Sequence, residues 1–195
     1  RQCRRQRQMC IRDRFNNELN GEKIIFNPNN DNFDDLCEKI NPNFVINCIG
    51  AIKPTITEKK ESINNAISIN SFFPLKISKK SADLSFNYIQ IGTDCVFSGL
   101  EGGYIETSTT DATDVYGKTK IVGEISSKNK TLIRSSIVGP ESGSGMSLLN
   151  WFLKTEEPEV NGFTDHEWNG VTTLNFAKIV LGITKNEQTG IKLQH

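Results

Sequence analysis

The chain has 195 residues, of which 36% are hydrophobic and 24% are charged, a composition typical of one globular domain of ordinary size. Its formal net charge is zero, and no apolar run approaches the roughly 18 residues that a membrane-spanning helix needs. We therefore expect no membrane partner, and the first residues do not resemble a secretory leader.

The start of the chain differs in composition from the rest. Residues 1–14 hold six of the seven arginines and no lysine or asparagine, whereas all 16 lysines and 20 asparagines follow later. This change predicts that residues 1–14 are a non-native appendage that resembles a translated adapter; the alternative is a basic arm for nucleic acid or an anionic membrane. Residues 15–195 carry 17 basic and 22 acidic side chains, a net charge of −5 that argues against a nucleic-acid partner.

Cysteine and histidine are sparse outside that segment. The three cysteines, Cys37, Cys48 and Cys95, form no CxxC pair, which favours reduced thiols and a cytoplasmic location. Two histidines are too few for a typical zinc site, so we predict no metal.

Strands and helices are predicted to alternate along the chain. The predicted strands cover residues 23–26, 44–49, 88–92 and 131–136, and residues 190–195 read as the start of another. The predicted helices cover residues 31–40 (capped by Asp31 or Asn32), 58–80 with a kink at Pro74, 115–127, 146–154 and 172–183. This order predicts βαβ units, a parallel sheet and the α/β class.

Three short segments directly follow predicted strands: residues 50–51, 93–94 and 135–136. Parallel sheets bind ligands at the carboxyl ends of their strands. We therefore expect these segments to line one crevice.

Tyr116 and Lys120 are four residues apart on a predicted helix, so they share one face. A free phenol has a pKa near ~10, and a neighbouring ammonium stabilises the phenolate and lowers that pKa. Tyr116 is therefore a candidate for exchanging a proton with a substrate oxygen, and Lys120 for holding the ribose hydroxyls of a cofactor. The alternative is an ordinary helical pair.

Thr93 lies at a predicted strand end, where its hydroxyl is placed to hydrogen-bond a substrate carbonyl and to orient Tyr116. The alternative is a threonine that caps a turn or a helix. Together with Tyr116 and Lys120 it supplies a hydroxyl, a phenol and an ammonium, a set that can protonate a carbonyl while a cofactor delivers hydride.

Several ordered motifs extend this pattern. They are VINCIG at 45–50, IN at 69–70, GTDCVFSG at 92–99, YIE at 104–106, DVYGKTK at 114–120, GE at 123–124 and IRSSIVG at 133–139. In this combination the chain resembles extended short-chain dehydrogenase/reductases, most closely the dTDP-4-dehydrorhamnose reductase group. Residues 151–153 and 168–174 resemble a polysaccharide-precursor subgroup.

The resemblance implies an incomplete Rossmann-type parallel sheet over residues 15–140 and a partial substrate-binding lobe over residues 141–195. It implies NADPH or NADH as cofactor and a nucleotide sugar as substrate. The residues that it assigns to catalysis are Thr93, Tyr116 and Lys120. Those assigned to the cofactor are Gly50, Ala51, Asn70, Tyr116 and Lys120. Those assigned to the substrate are Cys95, Val96, Phe97, Ser136, Trp168 and Asn169.

The implied activity is the reduction of a 4-keto nucleotide-activated deoxysugar in polysaccharide-precursor synthesis. Two alternatives remain: an NAD-dependent epimerase or dehydratase of the same fold, and a non-catalytic binding subunit. A homodimer is the oligomeric state that we consider. The sequence contains no G-x-G-x-x-G turn. We therefore expect a truncated chain that lacks the family's first βαβ unit and part of its carboxy-terminal lobe. Without that unit no helix N-terminus receives the cofactor's pyrophosphate, so activity is expected of the complete enzyme rather than of this fragment.

Overall fold

The computed structural model describes residues 24–125, 127–140, 147–165, 168–186 and 192–194. Its strands are β1 (Phe44–Asn47), β2 (Asn87–Ile91), β3 (Lys130–Arg134), β4 (Ile137–Val138), β5 (Val171–Thr172) and β6 (Lys192–Gln194). The main sheet has the order β1-β2-β3-β6 with every neighbouring pair parallel, and β4 pairs with β5, also parallel, in a second sheet. The predicted α/β class with a parallel sheet is confirmed, as is a strand within residues 190–195.

Helices connect these strands, and four of them begin at side-chain caps. They are α1 (Phe33–Ile40), α2 (Lys60–Ile67), α3 (Phe73–Leu84), α4 (Val115–Val122), α5 (Leu148–Lys154) and α6 (Thr173–Lys185), with single 3-10 turns at Lys53–Thr55 and Asp94–Val96. Asn32, Asp114, Ser147 and Thr172 each accept a hydrogen bond from a backbone amide of the helix that follows, as N-cap residues do. The predicted cap of the first helix at Asn32 is confirmed.

The central strands β2 and β3 of the main sheet are buried on both faces. Tyr88 and Ile89 are neighbours on β2 and point to opposite sides, because strand residues alternate between faces. One side packs in a cluster of Phe33, Cys37, Ile49, Phe73, Ile77, Phe86 and Tyr88, which brings α1 and α3 onto that face. The other packs Ile89 and Ile133 against Phe176, Val180 and Ile183 of α6. This two-sided burial explains why the strands read as continuous apolar runs.

The predicted strand at residues 23–26 is wrong over residues 24–26, which form no strand. Phe26 packs its ring against Phe33 at 6.0 Å and against Phe73 at 5.7 Å between ring centroids. The apolar run is therefore used for side-chain packing against α1 and α3 rather than for strand pairing. Lys23 and the arginine-rich residues 1–14 lie outside the described residues, and the division of the chain at residue 140 stays a prediction.

The long predicted helix over residues 58–80 contains a wide turn. A π-helical segment, Ser68–Phe72, separates α2 from α3. Pro74 follows it and cannot donate a hydrogen bond to the carbonyl of Asn70 four residues back, with which its ring would clash in a regular α-helix. A π-turn relieves such a clash by adding a residue to the turn.

Gly123, the C-cap of α4, packs directly on this wide turn. A Cβ atom at Gly123 would overlap the carbonyl oxygen of Asn70 and lie 3.3 Å from Cγ of Pro74. The end of α4 reaches the π-turn because residue 123 has no side chain.

Among the described residues, no helix is both long enough and apolar enough to cross a membrane.

We predict that Gly123→Ala destabilises the protein by about 1 to 3 kcal/mol, since the added methyl group has no space and the helices must separate. Gly182→Ala in α6 is the matched control, because a Cβ atom there meets nothing within 4 Å. That control should be neutral or stabilising by up to about 1 kcal/mol, the helix preference of alanine over glycine. Urea unfolding measures both changes, and equal effects of the two substitutions would contradict the packing argument.

Candidate active site

The buried side chain of Asn70 joins the loop after β1 to α4. Its Oδ1 accepts from the amide of Ala51 at 2.8 Å, while Nδ2 donates to the carbonyl of Ala51 at 3.0 Å and to Oγ1 of Thr119 at 3.1 Å. The side chain is 1% exposed, so these hydrogen bonds replace water entirely. Two of the predicted cofactor residues, Ala51 and Asn70, are thus in direct contact beside α4.

Lys120 lies in the same neighbourhood. Its Nζ donates to the carbonyl of Ile91 at the end of β2, at 3.4 Å. A Cβ atom at Gly50 would lie 3.2 Å from Nζ, so the absent side chain leaves the ammonium accessible from that side. Burial lowers the pKa of Lys120, and the charge of Glu124 acts in the opposite direction. Within the described ranges this is the one hydrogen bond of the ammonium, which leaves two donors for a ligand.

Gly117 allows α4 to approach the turn that follows β2. A Cβ atom at Gly117 would overlap the carbonyl oxygen of Cys95 and the side chain of Ala112. The first turn of α4 therefore packs directly on the 3-10 turn Asp94–Val96, and this contact brings Tyr116 beside Thr93.

Thr93 caps that 3-10 turn. Its hydroxyl accepts from the amide of Cys95 at 3.2 Å and donates to Oδ1 of Asp94 at 3.2 Å, and the residue is 6% exposed. The capping alternative is therefore observed. It coexists with the predicted proximity to Tyr116, because the Thr93 hydroxyl acts to stabilise the phenolate of Tyr116.

The pKa of Tyr116 is raised above its ordinary value, chiefly by burial of the phenol. The Thr93 hydroxyl lowers this pKa, Cys95 and Asp94 raise it, and Lys53 lowers it. The prediction that a neighbouring Lys120 lowers the Tyr116 pKa below its usual range is wrong here, because desolvation outweighs the charges nearby. The cation over the Tyr116 ring is Lys53, whose Nζ lies 5.8 Å from the ring centroid.

A cleft of about 980 Å³ opens beside these residues. Four of the predicted substrate residues line it: Cys95, Phe97, Trp168 and Asn169. Val96 does not line the cleft, since its side chain is completely buried beneath the 3-10 turn. Ser136 does not line the cleft either; its hydroxyl accepts a hydrogen bond from the indole Nε1 of Trp168 at 2.8 Å and so orients that ring.

A buried ion pair supports one wall of the cleft. Phe97 stacks on Tyr104 with centroids 4.4 Å apart, and the guanidinium of Arg134 lies 5.2 Å from the Phe97 ring. Arg134 pairs with Glu124 at 2.8 Å, and both side chains are less than 10% exposed. The motifs at residues 92–99, 104–106, 123–124 and 133–139 therefore meet in one network.

Sequence reasoning gave no role to Lys53 and Asp114. Asp114 accepts from the amide of Gly117 at 2.7 Å, which lowers the pKa of its carboxyl, and forms an ion pair with Lys53 at 3.0 Å. Lys53 and Asp114 line both the cleft and an adjoining pocket of about 420 Å³ that contains Tyr116. An aspartate directly before a helix is a capping signal that identifies Asp114, whereas Lys53 is marked only by its closeness to a strand end.

We predict that Glu124→Gln destabilises the protein by about 3 to 5 kcal/mol, because it leaves the Arg134 charge buried without a carboxylate. The double variant Glu124→Leu with Arg134→Met should recover most of that loss, since it removes both charges together. Glu38→Gln, which breaks the exposed pair with Lys80, is the control and should cost less than about 1 kcal/mol. Urea unfolding compares the three proteins, and equal losses for Glu124→Gln and Glu38→Gln would contradict the prediction.

The chain is similar to several known proteins. The spore coat polysaccharide biosynthesis protein SpsK of Bacillus subtilis is 26% identical over 145 residues, which cover 72% of this chain and 50% of SpsK. A dTDP-4-keto-6-deoxy-D-glucose reductase of Streptomyces niveus is 22% identical over 164 residues, covering 80% of this chain and 56% of the reductase. The chain spans about half the length of these curated relatives.

Among solved structures, the dTDP-4-dehydrorhamnose reductase of Bacillus anthracis in complex with NADP superposes with a TM-score of 0.68 at 18% identity. The superposition covers 83% of this chain and 58% of that one, and it shows a shared fold. The resemblance stated from the motifs is confirmed. Because the model of the RmlD substrate binding domain matches residues 26–192, this chain belongs to that family.

Proposed function

We propose that the protein reduces the 4-keto group of a nucleotide-activated deoxysugar with NADPH or NADH, in the synthesis of polysaccharide precursors. The observation that carries this proposal is the meeting of the Thr93 hydroxyl and the Tyr116 phenol next to a cleft large enough for a sugar nucleotide. The names of the Streptomyces reductase and of the Bacillus polysaccharide protein support the same reaction and setting.

The residues around Lys120 fit the ribose end of a nicotinamide cofactor. The buried ammonium keeps two hydrogen-bond donors unused among the described residues, and Gly50 leaves space for a ligand against it. Lys120 would hold the ribose hydroxyls, with Gly50, Ala51 and Asn70 forming the floor beside them. When bound, NADPH or NADH supplies the hydride that adds to the substrate carbonyl carbon.

Tyr116 supplies the proton in this proposal. Because burial raises its pKa, the phenol is protonated at neutral pH, which is the form that a proton donor needs. The proton passes to the carbonyl oxygen as the carbon–oxygen double bond becomes a single bond, and the phenolate then regains a proton from solvent. To hold the oxygen during this transfer, the Thr93 hydroxyl turns toward the substrate from Oδ1 of Asp94, to which it donates in the structure.

The lining of the cleft suits the sugar better than the diphosphate. Phe97, Tyr104 and Trp168 offer aromatic surfaces for the apolar face of a deoxysugar ring. The carboxylates of Asp94 and Asp165 line the cleft as well and can accept hydrogen bonds from sugar hydroxyls. A diphosphate would be repelled by these carboxylates, so the anionic part of the substrate lies away from them.

We predict that this chain, joined to a glycine-rich first βαβ unit of the family, consumes NADPH or NADH when given dTDP-4-keto-6-deoxy-D-glucose, measured by the absorbance of the reduced nicotinamide. Tyr116→Phe and Thr93→Val should each lower kcat by about 10²-fold or more, since one removes the proton donor and the other removes the hydroxyl at constant shape. Thr93→Ser keeps the hydroxyl and is the matched control, with kcat within about 10-fold of the unchanged protein.

Three results would contradict this function. A wild-type rate for Tyr116→Phe would exclude Tyr116 as the proton donor. Interconversion of two nucleotide sugars without net consumption of reduced nicotinamide would identify an epimerase. Tight nucleotide-sugar binding without turnover, read from the fluorescence of Trp168 with Trp168→Phe as control, would identify a binding subunit.

A further inference from the structure

Lys53 is held at the site by the carboxylate that begins the Tyr116 helix. Oδ1 of Asp114 accepts from the amide of Gly117 at 2.7 Å, while Oδ2 lies 3.0 Å from Nζ of Lys53. One carboxylate therefore caps α4 and anchors a cation. The same Nζ lies 5.8 Å from the centroid of the Tyr116 ring.

We infer that Lys53, aimed by Asp114, is a positioning residue that favours release of the Tyr116 proton to the substrate oxygen. This inference rests on the proposed reduction. The helical spacing in the sequence gives that role to Lys120, but the Nζ of Lys120 is directed to the carbonyl of Ile91 and to Gly50. The two lysines thus have separate tasks: Lys53 acts on the phenol and Lys120 is available to a cofactor.

Lys53 is the cation among the groups that act on the phenol, and its effect on the Tyr116 pKa is smaller than those of burial and of the Thr93 hydroxyl. From the turn after β2, Asp94 and Cys95 disfavour the phenolate of Tyr116, and the Thr93 hydroxyl favours it. From the loop after β1, the ammonium of Lys53 favours it. On the helix of Tyr116 itself, Asp114 is already paired with Lys53 and Lys120 faces Gly50. Glu58 lines the same pocket as Tyr116 and Lys53. Removing the charge of Lys53 would leave the effects of Asp94 and Cys95 opposed by the Thr93 hydroxyl.

The direct test follows the ionisation of Tyr116 in the whole protein, without any substrate. The chain has three tyrosines, so 3-fluorotyrosine labelling gives three ¹⁹F NMR signals, and Tyr116→Phe identifies the one needed. Fluorination lowers the pKa of a phenol, which brings the titration into a milder pH range. Lys53→Met should raise the pKa of the Tyr116 signal by about half to one pH unit, the effect expected for one charge near the protein surface.

Two controls separate charge from structure. Lys53→Arg keeps the charge. It should therefore raise the Tyr116 pKa by no more than about a third as much as Lys53→Met does. Tyr88 is the internal reference, because it is completely buried against Lys130 and contacts neither Lys53 nor Asp114. An unmoved Tyr116 signal in Lys53→Met, or an equal shift in Lys53→Arg, would overturn the inference whether or not the protein is an active reductase.

The pH dependence of turnover gives a second measurement. Reduction requires protonated Tyr116, so kcat falls as the pH rises through the Tyr116 pKa, which burial has raised. In Lys53→Met this fall of kcat, the alkaline limb of the pH profile, should move to higher pH. At neutral pH kcat should be lower by about 3- to 10-fold, because the phenol holds its proton more tightly. A higher KM with an unmoved alkaline limb would overturn the inference and assign Lys53 to substrate phosphate. A shifted ¹⁹F titration in a protein that consumes no reduced nicotinamide would support the action of Lys53 on Tyr116 and contradict the proposed reduction alone.

Discussion

The buried amide of Asn70 is the contact on which the arrangement of the site depends. Its three hydrogen bonds use both main-chain groups of Ala51 and the hydroxyl of Thr119, and the Thr119 hydroxyl in turn donates to the carbonyl of Tyr116 at 2.9 Å. A buried polar group left without a partner costs about 1 to 3 kcal/mol, so any relative shift of these segments is opposed at several atoms together. The loop after β1, the π-turn and the first turns of α4 are therefore held in one relative position.

Close contact at both ends of α4 is the second condition. Gly117 lets the first turn of the helix pack on the carbonyl of Cys95, and Gly123 lets its last turn pack on the carbonyl of Asn70. The π-turn that places this second carbonyl is itself a consequence of Pro74. A helix fixed at both ends cannot rotate about its axis, so Tyr116 stays beside Thr93 and Lys120 stays beside Gly50.

Most of the fold was predictable because its signals are local. Continuous apolar runs marked β1, β2 and β3, and helical periodicity marked the helices. The crevice was less predictable, because of residues 50–51, 93–94 and 135–136 only Asp94 lines the cleft of about 980 Å³. The failures all concern contacts between distant segments. An apolar run such as residues 24–26 does not reveal whether it will pair as a strand or pack as a side-chain cluster. Lys53 acquires its importance from Asp114 and Tyr116, and the Tyr116 pKa depends on a burial that no local pattern contains.

The two lysines of the site differ in the property that decides what each can do. Burial lowers the pKa of Lys120, because a desolvated ammonium is costly to keep charged. Lys53 is about half exposed, and its hydrogen bond to Asp114 raises its pKa. The hydrogen bond to Asp114 therefore favours the charged form of Lys53, whereas a buried ammonium gains from a ligand that accepts its unused hydrogen bonds. On this argument a partner for the phenol belongs at the solvated rim and a partner for cofactor hydroxyls belongs in the interior, which is where the fold places Lys53 and Lys120.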